Sequence, residues 1–265
     1  MPSVKNGQIE IYYEDTGSDL PVIIFSHGLL MDHDMFAPQV AALKDRYRCI
    51  SWDERGHGRT ARDTLEPFSY YDSADDLAAV LRHAGVERAV LVGMSQGGYL
   101  SLRCALTHPS LVRALILIDT QAEIEDKTKT PAYEKMIGDW AKNGLSDQTA
   151  ATIAHIILGE GCNGAGTWKE KWRAMKAPNL IGVFTTLISR DDISKVISKI
   201  EVPALVIHGT SDAAIELYRA EAMRAALPGA WPMVVVEGAG HAANLTHPMP
   251  VNEAIICFLE SLNFQ

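Results

Sequence analysis

The stretch Ala89-Val90-Leu91-Val92-Gly93-Met94-Ser95-Gln96-Gly97-Gly98-Tyr99 decides how this chain folds. Its first four residues form a short apolar run, which suits a strand buried on both faces. Tyr99, Leu102 and Leu106 then lie on one face of a helix, and His108-Pro109 stops it. Between strand and helix sits Gly93-Met94-Ser95-Gln96-Gly97, a G-x-S-x-G turn in the context that a nucleophile elbow requires. Such a turn holds the serine backbone under strain, so the residues flanking it must be small. The serine Oγ then points out of the sheet. The following helix start offers free N–H groups and a positive dipole end to a developing oxyanion.

The same alternation extends outward in both directions. Asn6-Gly7 is a hairpin turn signal, followed by alternating Ile9, Ile11 and Tyr13. Val22-Ile23-Ile24-Phe25 and Cys49-Ile50-Ser51-Trp52 read as strands, with Phe36, Val40 and Leu43 at helical spacing between them. Asp72 or Ser73 caps a helix that includes Leu77 and Leu81. Ala114 to Ile118, Ala204 to Ile207 and Val234 to Val236 are further strands, and Val251, Ala254, Ile255, Phe258, Leu259 and Leu262 form a helical stripe. Strand and helix in alternation predict an α/β fold, a mostly parallel central sheet with helices on both faces.

Residues 121–195 read differently. They lack β-branched runs, carry a glycine-rich turn at Gly159 to Gly166, and concentrate aromatic side chains in Tyr133, Trp140, Trp168, Trp172 and Phe184. We expect a core of 1–120 and 196–265, with 121–195 a helical cap inserted between sheet strands.

Length and composition bound the function. The chain has 265 residues, 47% hydrophobic and 22% charged, which fits one globular catalytic domain rather than disorder or a disulfide scaffold. The net charge of −9 disfavours nucleic acid and anionic membrane surfaces. Met1 to Gly7 contains no apolar signal core, and no run approaches the ~18 apolar residues that span a bilayer. Cys49, Cys104, Cys162 and Cys257 are scattered without a CxxC pair, so reduced thiols in a cytoplasmic protein are expected. The histidines show no metal-ligand spacing, and no metal, nucleotide or flavin cofactor is expected.

A serine nucleophile needs a base, and the base needs an orienting acid. His241, in Gly238-Ala239-Gly240-His241 after the last strand, falls on a loop at the sheet's C-terminal edge, where ligands bind in open α/β sheets. Asp212, after Ala204 to Ile207 and His208-Gly209-Thr210-Ser211, reaches the same edge. Asp119, ending the strand before the insertion, competes for the acid role, though a turn or cap role suits it better. Glu216 lies too far along. Gln96 N–H and Leu29 N–H, just past Gly28, are the two candidate oxyanion donors. His27 and His57 read as structural, pinning loops or lining a pocket.

Taken together, Ser26-His27-Gly28, Asp53-Glu54-Arg55-Gly56-His57-Gly58, Gly93 to Gly98, Gly209-Thr210-Ser211-Asp212 and Gly240-His241 resemble the α/β-hydrolase superfamily over nearly the whole chain. Among its branches the chain looks most like small bacterial serine esterases, enol-lactonases and perhydrolases. The resemblance implies a triad of Ser95, His241 and Asp212, backbone oxyanion donors at Leu29 and Gln96, and a helical cap over the site. Two positions depart from the pattern. Thr246-His247-Pro248 stands where a glutamate often precedes the proline, and Thr60 ends a turn that often ends in serine.

The expected activity is hydrolysis of a small to medium apolar carboxylic ester or lactone through an acyl-enzyme. Carbon–carbon bond hydrolysis or perhydrolysis on the same triad is the alternative, as is a small-molecule receptor that reuses the fold. Leu30, Met31 and Met94 adjoin the expected site and, with Tyr133, Trp140, Trp168, Trp172 and Phe184, are the expected substrate contacts. Trp168 and Trp172, four apart on a helix, also suit packing of the cap onto the core. The expected partner is the small-molecule substrate, and a homo-oligomer is compatible with the sequence.

Overall fold

Apolar runs become strands and amphipathic runs become helices along the whole chain. A computed structural model describes residues 2–124, 127–160, 162 and 164–262. In order, the elements are β1 (Ser3–Asn6), β2 (Ile9–Asp15), β3 (Val22–Ser26), α1 (Ala37–Leu43), β4 (Arg48–Trp52), α2 (Tyr70–His83), β5 (Ala89–Met94), α3 (Gln96–Thr107) and β6 (Val112–Ile118). Then come α4 (Thr130–Asn143), α5 (Asp147–Leu158), α6 (Ala165–Arg173) and α7 (Ala177–Ser189), all between β6 and β7. The chain returns to the sheet with β7 (Ala204–Gly209), α8 (Leu217–Ala226), β8 (Val234–Val236), α9 (Ala243–Thr246) and α10 (Pro248–Ser261). Of the glycine-rich stretch 159–166, Gly161 and Asn163 lie outside the described residues, as does Met1.

The strands form one sheet in the order β1-β2-β4-β3-β5-β6-β7-β8. β1 and β2 are antiparallel to their neighbours, and every pairing from β4 to β8 is parallel. β5, β6 and β7 sit inside this order and are buried almost throughout, which is why they read as unbroken apolar runs. α2 packs on α3, and α1 packs on α10, so helices cover both faces. β3 lies between β4 and β5, so the strand order reverses there. That reversal opens the crevice in which open α/β sheets bind ligands, beyond the carboxyl ends of β3 and β5.

Two local expectations shift. The first hairpin pairs Asn6 with Ile9, so Gly7 and Gln8 form the turn and only Gly7 takes a positive φ, of 60°. Asn6 stays in the strand, where its Nδ2 donates to Asp76 Oδ1. The cap of α2 is Ser69, not Asp72 or Ser73. Ser69 and Asp72 bond each other's backbone N–H in a capping box. The helix starts earlier than its charged residues suggest because Tyr70 belongs to the buried stripe of Leu77 and Leu81.

Candidate active site

The elbow after β5 places Ser95 in a conformation that few side chains adopt, with φ 51° and ψ −117°. Its N–H donates to Ile118 O at 3.0 Å, which ties the turn to β6. The flanking glycines are sterically required. A Cβ on Gly93 would stand 2.2 Å from Gly97 O, and one on Gly97 would stand 2.0 Å from Ser26 O. The serine is therefore held where β5, α3 and the loop after β3 approach most closely.

His241 Nε2 lies 3.0 Å from Ser95 Oγ, and His241 Nδ1 lies 2.8 Å from Asp212 Oδ2. The carboxylate can only accept, so Nδ1 carries the ring proton and Nε2 faces the serine hydroxyl. Asp212 Oδ1 accepts the N–H groups of Ala214 and Ile215, at 2.8 and 3.0 Å. Burial pushes the Asp212 carboxyl up. The facing His241 and these hydrogen bonds outweigh it and hold the group below the usual carboxylate range. The three residues are brought together from β5, β7 and β8 by the parallel order of the sheet.

Asp119 stands behind this chain and does not bond His241. Its Oδ1 accepts Gly209 N–H at 2.8 Å, and its Oδ2 accepts Ala243 N–H at 2.9 Å. It thereby clips the loop that leads to Asp212 to the turn that follows His241. Burial, and then the negative Asp212 opposite, push its carboxyl well above the usual range. Asp119, His208 and Asp212 bring potential metal-ligand atoms within 4.8 Å of one another. Hydrogen bonds already engage both oxygens of each aspartate, and His208 Nε2 donates to Ile215 O at 3.0 Å. Burial keeps the His208 ring below its ordinary pKa and so neutral.

On the other side of Ser95, Met31 N–H donates to Gly28 O and closes a tight turn over Leu29 and Leu30. Among the described residues no protein acceptor takes the N–H of Leu29 or of Gln96. Gln96 opens α3, where the first N–H groups have no partner in the helix. His27 pins this loop from below. Its Nδ1 donates to Gly28 O at 2.8 Å and its Nε2 accepts Glu54 N–H at 3.0 Å. His57 Nε2 lies 3.3 Å from Leu30 N, and burial lowers its pKa to about 3, which keeps it a neutral acceptor.

Above Ser95 lies a cleft of about 770 Å³, counting the space open to solvent. Leu29, Leu30, Met31, Met94, Tyr133 and Phe184 line it. Trp140, Trp168 and Trp172 do not, and this corrects the expectation. Trp140 is 4% exposed and lies one turn beyond Met136 and Ile137, and two beyond Tyr133, on α4. Trp168 lines a separate cleft with Cys162 and His247, and the Lys171 ammonium sits 4.5 Å from its ring centre. Trp172 is turned away from the cavity, and its Nε1 donates to Leu30 O at 2.8 Å. The cavity wall instead uses Met136, Ile137, Ile153, Ile156, Ile157 and Leu187, which the sequence reading missed. Their signal was the three- and four-residue spacing on α4, α5 and α7, overlooked in favour of the aromatic residues.

A second missed group supports the elbow. Gln96 Nε2 donates to Glu54 Oε2, and Tyr70 OH reaches Gln96 Oε1 at 3.3 Å. Burial pushes the Glu54 carboxyl up to about 8. Asp53 accepts from His33 N, His33 Nδ1 and Arg59 N, which fixes the turn after β4.

Comparison with known proteins agrees with this fold. A family model described as the alpha/beta hydrolase fold matches residues 21–156, and one described as TAP-like protein matches 187–264. A bifunctional esterase/perhydrolase from Acinetobacter calcoaceticus is 27% identical, over 98% of this chain and 99% of its own. A protein named as a carbamate hydrolase, RutD, from Caulobacter sp. strain K31 is 26% identical, over 97% and 98%. A thermophilic esterase structure from Thermogutta terrifontis superposes with a TM-score of 0.87 at 25% identity, covering 98% of each chain. The enol-lactonase of Burkholderia xenovorans LB400 shares the fold, with a TM-score of 0.88 at 22% identity, over 98% of this chain and 100% of that one. No helix among the described residues is long and apolar enough to cross a membrane. The chain belongs to the α/β-hydrolase family and is a hydrolase of that fold.

Proposed function

We propose that the chain is a serine hydrolase of uncharged, apolar carboxylic esters or lactones, with Ser95, His241 and Asp212 as its triad and residues 121–195 as its cap. The hydrogen-bonded run from Asp212 through His241 to Ser95, at the floor of an apolar cavity, carries this reading. Ser95 Oγ attacks the acyl carbon as its proton passes to His241 Nε2. The Leu29 and Gln96 N–H groups receive the oxyanion. His241 then returns the proton to the leaving alkoxide oxygen as the C–O bond breaks, which leaves an acyl-enzyme. A water gives a proton to His241 Nε2 as its oxygen attacks the acyl carbon, and His241 then passes that proton to Ser95 Oγ as the acyl–Oγ bond breaks, which releases the acid and free Ser95. Asp212 stabilises the imidazolium in both halves.

The cavity favours an uncharged substrate over a charged one. No Asp, Glu, Lys or Arg side chain lines it among the described residues, so a charged substrate would lose its hydration without a partner. Turnover of chromogenic alkyl esters and lactones by wild type beside Ser95→Ala, with products identified by mass, tests the reading. The variant is expected to lose at least ~10⁴-fold in kcat. Wild-type turnover by Ser95→Ala would overturn it.

A further inference from the structure

We infer that Trp172 is a positioning residue which sets the oxyanion hole from the cap, through its hydrogen bond to the Leu30 carbonyl. The inference rests on the proposed serine chemistry and adds a part that the triad does not contain. Leu30 has a φ of 64°, a left-handed conformation that a branched side chain disfavours. It is the third residue of the turn that Met31 N–H closes on Gly28 O at 3.1 Å, the place where such turns favour glycine. The second residue of this turn is Leu29, whose N–H is the proposed donor. A turn that carries a leucine in this position needs outside support to keep its shape.

That support comes from two side chains. His57 Nε2 faces the Leu30 N–H, but at 3.3 Å the contact is long. Trp172 Nε1 donates to the Leu30 carbonyl at 2.8 Å, with the indole 1% exposed. The same helix is anchored one residue earlier, where Lys171 Nζ bonds both oxygens of Asp32 at 2.9 and 2.7 Å, and Asp34 Oδ2 at 2.6 Å. The neighbouring cap helix α5 holds the opposite side of the site, since Ala242 N–H, next to His241, donates to Ile157 O at 2.8 Å. The cap thus bonds the oxyanion loop through α6 and the base loop through α5. Among these bonds, the Trp172 bond acts on the strained residue itself.

The test replaces only the donor. Trp172→Phe removes the N–H with some loss of ring. Site-specific replacement of Trp172 by 3-benzothienylalanine puts sulfur in place of the N–H and preserves the shape. Both are compared with wild type and Ser95→Ala in ester kinetics and in binding of two ligands. One is an alkyl trifluoromethyl ketone, to whose carbonyl Ser95 Oγ adds to leave an oxyanion. The other is the matching alkyl alcohol, which forms none. Deleting a whole donor removes ~10²–10³ in kcat, so a displaced one predicts a loss of ~10-fold or more. KM and alcohol affinity should stay within about twofold, and ketone affinity should fall in step with kcat. A benzothienyl variant with wild-type kcat and ketone affinity would overturn the inference, as would an equal loss of alcohol binding. Should Ser95→Ala retain turnover, the serine reading itself fails. Should Ser95→Ala be inactive and the benzothienyl variant normal, only the role of Trp172 falls.

Discussion

Replacing Asp119 with alanine separates a clip from a catalytic acid. The carboxyl is fully buried and accepts N–H groups from Gly209 and Ala243 at 2.8 and 2.9 Å. Alanine leaves both donors buried without acceptors. Each orphaned group costs about 1–3 kcal/mol, so the pair predicts a loss of about 2–6 kcal/mol of stability. Relief of the burial of this carboxyl, and of its repulsion from Asp212, offsets part of this. Asparagine keeps one acceptor oxygen and turns its NH₂ toward the other donor, so its loss should be about 1–3 kcal/mol, the cost of one orphan. Urea unfolding followed by tryptophan fluorescence measures both variants against wild type. The complementary variant is Asp212→Asn. Its Oδ1 can still accept from Ala214 and Ile215, while an NH₂ facing His241 Nδ1 forces the wrong ring tautomer. It should stay folded and lose kcat by about 10⁴. An Asp119→Ala protein within about 0.5 kcal/mol of wild type would refute the clip. Full activity in Asp212→Asn would refute the assignment of the acid.

Two further outcomes test the surroundings of the site. Burial raises the Glu54 carboxyl to about 8, so the folded chain holds a proton that the unfolded chain releases near 4.5. Its contribution to stability is therefore present at low pH and lost as pH rises from about 4.5 to about 8, by at most ~5 kcal/mol. Relative to wild type, Glu54→Gln should gain stability between pH 5 and pH 9, and thermal midpoints at the two pH values measure this. A variant-to-wild-type difference that does not change with pH would contradict it. Phe184→Ala opens the cavity wall and should raise KM for alkyl esters severalfold, whereas Trp140→Phe, outside the wall, should leave KM unchanged. Steady-state kinetics on a graded series of acyl chains distinguishes the two, and a larger KM change in Trp140→Phe would contradict the cavity described.

Much of the architecture was legible because it is written in short-range pattern. β5, β6 and β7 are apolar on both faces because helices cover both faces of the sheet, and such runs stand out without any partner in view. The elbow was equally plain, since Gly93 and Gly97 are demanded by backbone contacts under 2.5 Å. The capping box of α2 was also present in sequence, as Ser69 and Asp72 three residues apart, but the charged residues after it drew the boundary inward. The tryptophans of residues 121–195 misled for a different reason. Tryptophan is as suited to filling a helix interface as to lining a cavity, and its spacing carries no direction toward either.

The sequence alone determined the alternating α/β order, the elbow at Ser95, and the loops from which Asp212 and His241 reach the same sheet edge. These follow from local periodicity and turn chemistry, which each segment carries within itself. Only the tertiary structure shows what faces Asp212 and Asp119, which follow the neighbouring strands β7 and β6 at that edge. One meets His241 Nδ1, and the other meets two backbone N–H groups. Only the tertiary structure, likewise, turned Trp172 from the cavity to the Leu30 carbonyl, 142 residues away along the chain. A hydrogen bond across that separation depends on how two elements pack, and no window of sequence contains both partners.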